Sequence, residues 1–412
     1  MTTVTDLDAL LVAPTFFDDP YPAYAALREA DPVHWCEPWR AWVVTSHAAN
    51  IEVMRRPDAF SSAGYELAVL ELIERARPGA APSLVAHYST QVLSITDPPV
   101  HTRLRRLLVS SFTPRVVDRL RPRVTELVDE LLDALDDAAS GPVDVLSRFA
   151  YPLPALVIGE LLGVPREDQH RFTGWSADIV SFVGTGAVAD PERVDRAERS
   201  MAEFRSYLAP FIASRRAEPT DDLLGLLVAP ARDTDRLTDD EVLATCVTLL
   251  FAGHETTANL IGNGLVALLR HPQQLDLLRT HPEFAEPAVE ELLRFDSPVQ
   301  RNRRRAADDV ELLGRAITRD DRVLAFLGAA NRDPAAFADP DRLDIEREPG
   351  RHLAFGHGIH YCVGAALSRL EAPIALNALL ARYPRLAVAD GAVRWMPNIA
   401  FRGPREVLVT LS

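Results

Sequence analysis

The sequence predicts a mainly α-helical fold with a minor β region. Apolar residues recur at three- and four-residue spacing over long stretches, and 31 prolines punctuate the 412 residues into many helical blocks. Strand-like pieces are few and short. They do not alternate strictly with helices, which argues against a doubly wound parallel sheet.

Along the chain, the first strand-like piece is 39–45, rich in β-branched and aromatic side chains. Segment 115–138 reads as an amphipathic helix with Val116, Leu120, Val124, Leu127, Leu131 and Leu135 recurring at helical spacing. Pro122 is expected to end or kink its first part. The most informative helix is 238–271. Thr238 and Glu241 read as a capping box at its start, and Pro272 stops it. At ~1.5 Å per residue the rod is about 48 Å long. Val242 to Ala252 is apolar on nearly every face, the mark of a buried helix. Gly253-His254-Glu255-Thr256-Thr257 then interrupts it, and a buried Glu255 needs compensation. Further strands are expected at 309–318, 322–327 and in the 392–411 tail, with a last helix at 363–383.

Composition excludes several chemistries. The 44 basic residues are all arginine, against 59 acidic ones, for a net charge of −15. Without lysine there is no Walker-type phosphate loop, no pyridoxal Schiff base and no kinase-type ATP lysine. The negative charge argues against a general nucleic-acid binder. Cys36, Cys246 and Cys362 are far apart with no CxxC pair, which fits a reducing compartment and neither a disulfide framework nor a zinc ribbon. The N-terminal residues lack the pattern of a signal peptide, and no apolar run approaches a membrane span. A soluble, cytoplasmic protein is expected.

Two motif readings fail on single residues. His254-Glu255 would need histidine at 258 for a zinc protease, and that residue is Ala258. Gly356-His357-Gly358 lacks the third glycine of a dinucleotide loop, since Tyr361 stands there. What remains is Phe355-Gly356-His357-Gly358-Ile359-His360-Tyr361-Cys362-Val363-Gly364. Glycines give a tight loop, and Cys362 falls at a helix N-terminus, where the dipole favours a thiolate. Gly364 lets something flat approach. These are the requirements of an axial sulfur ligand to haem iron.

Here the sequence resembles the cytochrome P450 family, whose F-x-x-G-x-H/R-x-C-x-G signature is met by Phe355, Gly358, His360, Cys362 and Gly364. The resemblance spans nearly the whole chain and implies one P450 domain over 1–412, with haem b between the long helix and the cysteine loop. Ala252-Gly253-x-Glu255-Thr256 looks like the family's oxygen-activating segment. There Thr256 would return a hydrogen bond four residues back and open the helix, and Gly253 would leave room for dioxygen. Glu255 and Thr256 would relay protons. Glu291 and Arg294 match the family's ExxR pair, and Arg342 is expected to complete a Glu–Arg–Arg network. By the same resemblance, His101, Arg105, Arg304 and His360 receive the haem propionates, and Gly356 belongs to the haem loop.

The resemblance further implies a monooxygenase that inserts one oxygen atom from O2 into an organic substrate, by C–H hydroxylation or epoxidation. Electrons would come from a ferredoxin and ferredoxin reductase, attracted by Arg103, Arg106 and Arg369. The pocket is expected around 64–92, 170–190, Leu249, Leu250, Ala252, Val299, Ile399 and Phe401. Its apolar character suits a medium or large apolar substrate, and resemblance to the macrolide-type bacterial branch points to secondary metabolism. The rival readings are a peroxide-driven or coupling oxidase, a non-catalytic haem-thiolate sensor or carrier, and a zinc site from His357, His360 and Cys362.

Overall fold

The computed structural model describes residues 4–79, 83–138, 141–183, 190–229, 235–348 and 350–411. Its organising element is the helix Asp239–Arg270. The Thr238 hydroxyl accepts from the Glu241 N–H (3.2 Å), and the Glu241 carboxylate accepts from the Thr238 N–H (2.8 Å), which completes the capping box. Arg103 adds a hydrogen bond of 2.6 Å to the same carboxylate. Helices Pro152–Leu161, Ala285–Phe295 and Ala365–Arg382 pack around this central helix, and the largest apolar cluster lies among them.

The central helix is closed on most sides. Thr245, Thr248, Leu249, Ala252 and Thr256 keep accessible surface, and their spacing places them on one stripe. A core helix with one open face is poised to line a site.

Ten strands occur among the described residues: β1 (Val33–Cys36), β2 (Ala41–Val44), β3 (Phe60–Ser61), β4 (Val143–Asp144), β5 (Arg301–Ala306), β6 (Val310–Leu312), β7 (Arg315–Ile317), β8 (Arg322–Phe326), β9 (Ala387–Trp395) and β10 (Pro404–Thr410). One sheet has the order β1-β2-β8-β5-β3, with β2 and β8 parallel and the other pairs antiparallel. A second sheet is β4-β10-β9, and β6-β7 form a hairpin.

Helix 115–138 divides into Pro114–Asp118 and Arg121–Ala138. The first part ends at Asp118, whose carbonyl would need the N–H that Pro122 lacks, so the expected end is found rather than a kink. Pro122 sits at the second residue of a new helix, where its missing N–H costs nothing. Strands β1, β3, β4 and β5 go beyond the four strand-like pieces read from the sequence.

Candidate active site

The cysteine loop is closed by its own backbone, since the Cys362 N–H donates to the Phe355 carbonyl (2.9 Å). Gly356 and Gly358 turn the chain with φ of +73° and +71°. At Gly358 space is also decisive, because a Cβ would lie 2.5 Å from the Met54 carbonyl oxygen. The following helix starts at Ala365 with Gly364 as its N-cap. Burial raises the Cys362 thiol above its ordinary pKa, while the N–H groups of Gly364 and Ala365 and the charges of Arg105 and Arg369 pull toward thiolate. A metal ion on the sulfur would tip that balance outright.

Beside this loop lies a cluster of basic side chains, with His101 and Arg304 buried and Arg105 and His360 half-buried. His101 and Arg105 come from helix Val100–Ser111, Arg304 from β5, and His360 from the loop itself. The His101 and His360 rings are 4.3 Å apart, and His360 Nε2 lies 3.0 Å from Ser62 Oγ. Arg304 is 6% exposed and bonds the Arg303 carbonyl (2.7 Å). Burial pulls Arg304 down to about 10, and burial, Arg304 and His101 pull His360 down to about 3. His101 and Arg105 are lowered too, chiefly by burial. Asp97 sits nearby but already receives the Ser61 hydroxyl (2.5 Å) and the Ser62 N–H (2.9 Å).

Burial and the two arginines push both histidines toward neutrality while the nearby carboxylate is already engaged, so the cluster is short of negative charge. His101 Nε2 and His360 Nδ1 are also buried without hydrogen-bond partners. A flat cofactor with two carboxylates and a metal that takes sulfur fits this donor set. Haem would be held by Cys362 on iron and by His101, Arg105, Arg304 and His360 on the propionates. His357 faces away from that set, with Arg55 Nε donating to its Nε2 (3.1 Å). Among the described residues no three His, Cys, Asp or Glu side chains could together hold a metal ion.

On the central helix, Thr256 Oγ1 donates back to the Ala252 carbonyl (2.5 Å), but the helix stays continuous α through this point. The expected opening is not there, since one side-chain bond leaves the backbone ladder intact. Gly253 does not create room over the stripe. A Cβ there would sit 2.9 Å from Ile158 Cδ1, so this glycine serves close packing on Pro152–Leu161. The exposed residue beside Thr256 is Ala252. Glu255 is 5% exposed, and burial lifts its carboxyl to about 7. His254, pushed down to about 4 by burial, lies 2.7 Å through Nδ1 from the Ser176 hydroxyl.

Glu291 and Arg294 make a bidentate pair (2.7 and 2.8 Å), and Arg294 also donates to the carbonyls of Asn331, Pro340 and Arg342. The second arginine of this network is Arg347, whose Nε donates to Glu291 (3.2 Å). Arg342 contributes only its carbonyl; its side chain is 65% exposed and turned to Asp344. The segment doubles back between 339 and 347, and spacing alone does not choose between two arginines. Ser62 was also missed, because a lone serine carries no signal of its long-range contact with His360.

Val299 and Phe401 form a β-bridge, and Phe401 meets Phe251 of the central helix edge-on at 6.1 Å. Leu249 lies on the open stripe, whereas Leu250 is 0% exposed in the core and faces away from it. Ile399 packs against the cluster that holds Tyr24 and Phe326. Of the pocket segments expected at 64–92 and 170–190, residues 80–82 and 184–189 lie outside the described residues. The arginines assigned to a redox partner are engaged internally: Arg103 with Asp235 and Glu241, Arg106 with Asp235, and Arg369 with Glu290.

A family model for cytochrome P450 matches residues 71–397. The chain is 43% identical to the cytochrome P450 monooxygenase PikC of Streptomyces venezuelae, over 97% of this chain and 92% of that protein. It is 40% identical to 6-deoxyerythronolide B hydroxylase of Saccharopolyspora erythraea, with 100% of both chains covered. The chain belongs to the cytochrome P450 family. The fold of this P450 matches the crystal structure of CalO2 with a TM-score of 0.87 at 36% identity, covering 98% of each chain. It is a haem-thiolate monooxygenase with haem b as its cofactor, and it places one oxygen atom from O2 into an organic substrate. Among the described residues no helix is long and apolar enough to cross a membrane.

Proposed function

We propose that this P450 oxidises a medium or large apolar natural-product skeleton of the polyketide class. We further propose that Glu255 and Thr256 supply its protons and that a ferredoxin with its reductase supplies its electrons in the cytoplasm. The observation that carries the reading is the open stripe of the central helix, which sets the Thr256 hydroxyl beside Ala252 and Leu249, with Glu255 buried one residue away. The aromatic contact of Phe251 with Phe401, backed by Val299, adds an apolar wall. Relatedness to a hydroxylase of 6-deoxyerythronolide B supports the substrate class.

Bound haem supplies the electron transfer to dioxygen and the oxidising equivalent, with thiolate ligation favouring O–O cleavage. The chain's own part is to hold, exclude and protonate. Cys362 would anchor the iron, and His101, Arg105, Arg304 and His360 would receive the propionates. Glu255, whose carboxyl titrates at about 7, keeps a proton on an oxygen near neutral pH. Thr256 offers its hydroxyl to the same site once it leaves the Ala252 carbonyl. Because β5 brings Arg304 to His360, the β-containing part and the haem-binding part act as one domain over 1–412.

For the electron donor, the cysteine loop presents an alternative to the internally paired arginines. Arg55, His47 and Arg351 surround His357, each depressing its pKa after burial. Arg55→Glu with Arg351→Glu should slow first-electron transfer from an acidic ferredoxin at low salt; an unchanged rate removes this face from consideration. The substrate class is tested by titrating the holoenzyme with macrolactones, terpenes, steroids and aromatic peptides. A high-spin Soret shift with macrolactones is expected, and a response confined to another class overturns the assignment.

A further inference from the structure

Helices Gln169–Val183 and Pro191–Ala217 pack side by side and frame a cavity of about 290 Å³ that opens to solvent. The first helix supplies Arg171, Trp175 and Asp178 at helical spacing, and the second supplies Arg196, Arg199, Ser200 and Glu203. The cavity shares no residue with the cysteine loop, the basic cluster beside it or the open stripe of the central helix.

Three arginines meet two carboxylates here, in a protein whose net charge is −15. Both carboxylates are engaged. Asp178 Oδ2 accepts from the buried Ser200 hydroxyl (2.7 Å), and Glu203 Oε2 accepts from Trp175 Nε1 (3.0 Å). The guanidiniums are not. Arg171 and Arg196 come no nearer than 3.6 Å to a carboxylate oxygen, beyond hydrogen-bond reach. Arg199 has neither a hydrogen bond nor an ion pair among the described residues. Arg171 is nonetheless held in place, its guanidinium stacked 4.9 Å from the Trp175 ring centre and 4.8 Å from that of Tyr207. Stacking leaves the N–H edge of the fork open, and little rotamer freedom is lost when a ligand arrives.

Guanidinium forks that converge from two helices without hydrogen-bonded acceptors make a site for an oxyanion. Three forks suit a phosphate monoester, with about −1.5 to −2 charge and three acceptor oxygens, better than a carboxylate with two. Asp178 and Glu203 keep lone pairs that hydroxyl groups can meet. The volume is at the small end of the range for ligand pockets, which suits a monosaccharide better than a macrolactone. We propose that this cavity binds a sugar phosphate, with the phosphate on Arg171, Arg196 and Arg199 and the sugar hydroxyls on Asp178 and Glu203.

Such a ligand bridges the two helices. One residue past Trp175, the buried Ser176 hydroxyl lies 2.7 Å from His254 Nδ1 and 3.4 Å from the Leu250 carbonyl of the central helix. A bound phosphate therefore steadies the helix that packs on the segment carrying Glu255, through residues that the haem site does not use.

The test is calorimetric titration of the holoenzyme with glucose 6-phosphate at low salt, beside glucose and gluconate. Only the phosphate should bind, and more weakly as salt rises. No binding overturns the proposal, and so does equal binding of glucose or gluconate. Arg199→Gln should weaken glucose 6-phosphate on the order of tenfold. Arg171→Lys, which keeps the charge but loses the stacked fork, should weaken it as well. Both positions are exposed, so neither change threatens the fold. Arg205→Gln makes the same charge change on the second helix outside the cavity and should leave affinity unchanged; a loss equal to that of Arg199→Gln would show a general charge effect and sink the site. An independent readout is hydrogen exchange. Glucose 6-phosphate should slow amide exchange across 174–178 in the wild type but not in Arg199→Gln, and should leave β9 and β10 unaffected. Unchanged exchange at 174–178 in a protein that binds the phosphate would put the ligand elsewhere and overturn the assignment.

Discussion

Arg342 and Arg347 both follow the ExxR helix, yet Arg347 alone brings a second guanidinium to Glu291. Glu291 is 4% exposed and accepts from Arg294, Arg347 and the Asp344 N–H. Removing one charged donor from such a carboxylate leaves part of its desolvation uncompensated. Arg347→Leu should therefore cost about 2 kcal/mol and promote haem loss on heating, whereas Arg342→Ala should stay within about 0.5 kcal/mol. Thermal denaturation of the two holoproteins, followed at the Soret band, makes the comparison. Equal losses would mean that Arg342 shares the load. The Glu–Arg pair itself was readable, because a three-residue helical spacing fixes who meets whom. Its third partner depends on how a loop folds back, and a one-dimensional pattern does not encode that path.

The central helix shows which features of an element a sequence records and which it does not. Its limits were set by local chemistry, so the capping box at Thr238 and the proline at 272 located both ends. Strand β5, by contrast, reads Arg-Asn-Arg-Arg-Arg-Ala. No alternation of apolar residues announces it, and it is a strand because β8 and β3 pair with it from either side. Gly253 is a subtler case: the motif suggested space over the reaction site, while the backbone points its missing Cβ at Ile158. Gly253→Ala should gain about 1 kcal/mol of helix propensity and lose about 1–3 kcal/mol to overpacking, for a small net loss. Ile158→Val should recover most of it by removing the methyl in the way. Denaturant melts give the energies, and product per O2 should stay at the wild-type value. Collapsed coupling with full stability would restore the idea that this glycine makes room for dioxygen.

Across the whole molecule, buried groups of opposite kind set how stability responds to pH. Burial lifts Glu255 to about 7 and Glu371 to about 8, while it drops His254 to about 4 and His360 to about 3. The folded protein holds protons on the two carboxyls that the unfolded chain releases above about pH 4.5. Their effect on stability is therefore nil below that point, grows into a penalty as pH rises above it, and is complete beyond about 7 and 8. The histidines act in the other direction, opposing the fold at low pH until the unfolded chain also loses its protons near pH 6.5. Haem propionates held by His360 would remove part of that second effect; Glu371, which is 1% exposed with Oε2 unpartnered, titrates apart from them. Glu371→Gln keeps the shape and deletes the titration. Below pH 5 the variant should match the wild type. At pH 8.5 it should be more stable by about 2 kcal/mol, well under the limit that the full shift would set at about 1.4 kcal/mol per unit. Glu290→Gln supplies the opposite sign. Its carboxylate lies at about 2, because hydrogen bonds from Arg369 and His352 overcome burial, so the variant should lose stability at neutral pH and match the wild type only in strong acid. Scanning calorimetry of the holoenzymes at pH 5 and 8.5 measures the first difference directly. A Glu371→Gln protein destabilised equally at both values would show that this carboxyl works as a hydrogen-bonding group rather than as a buried acid.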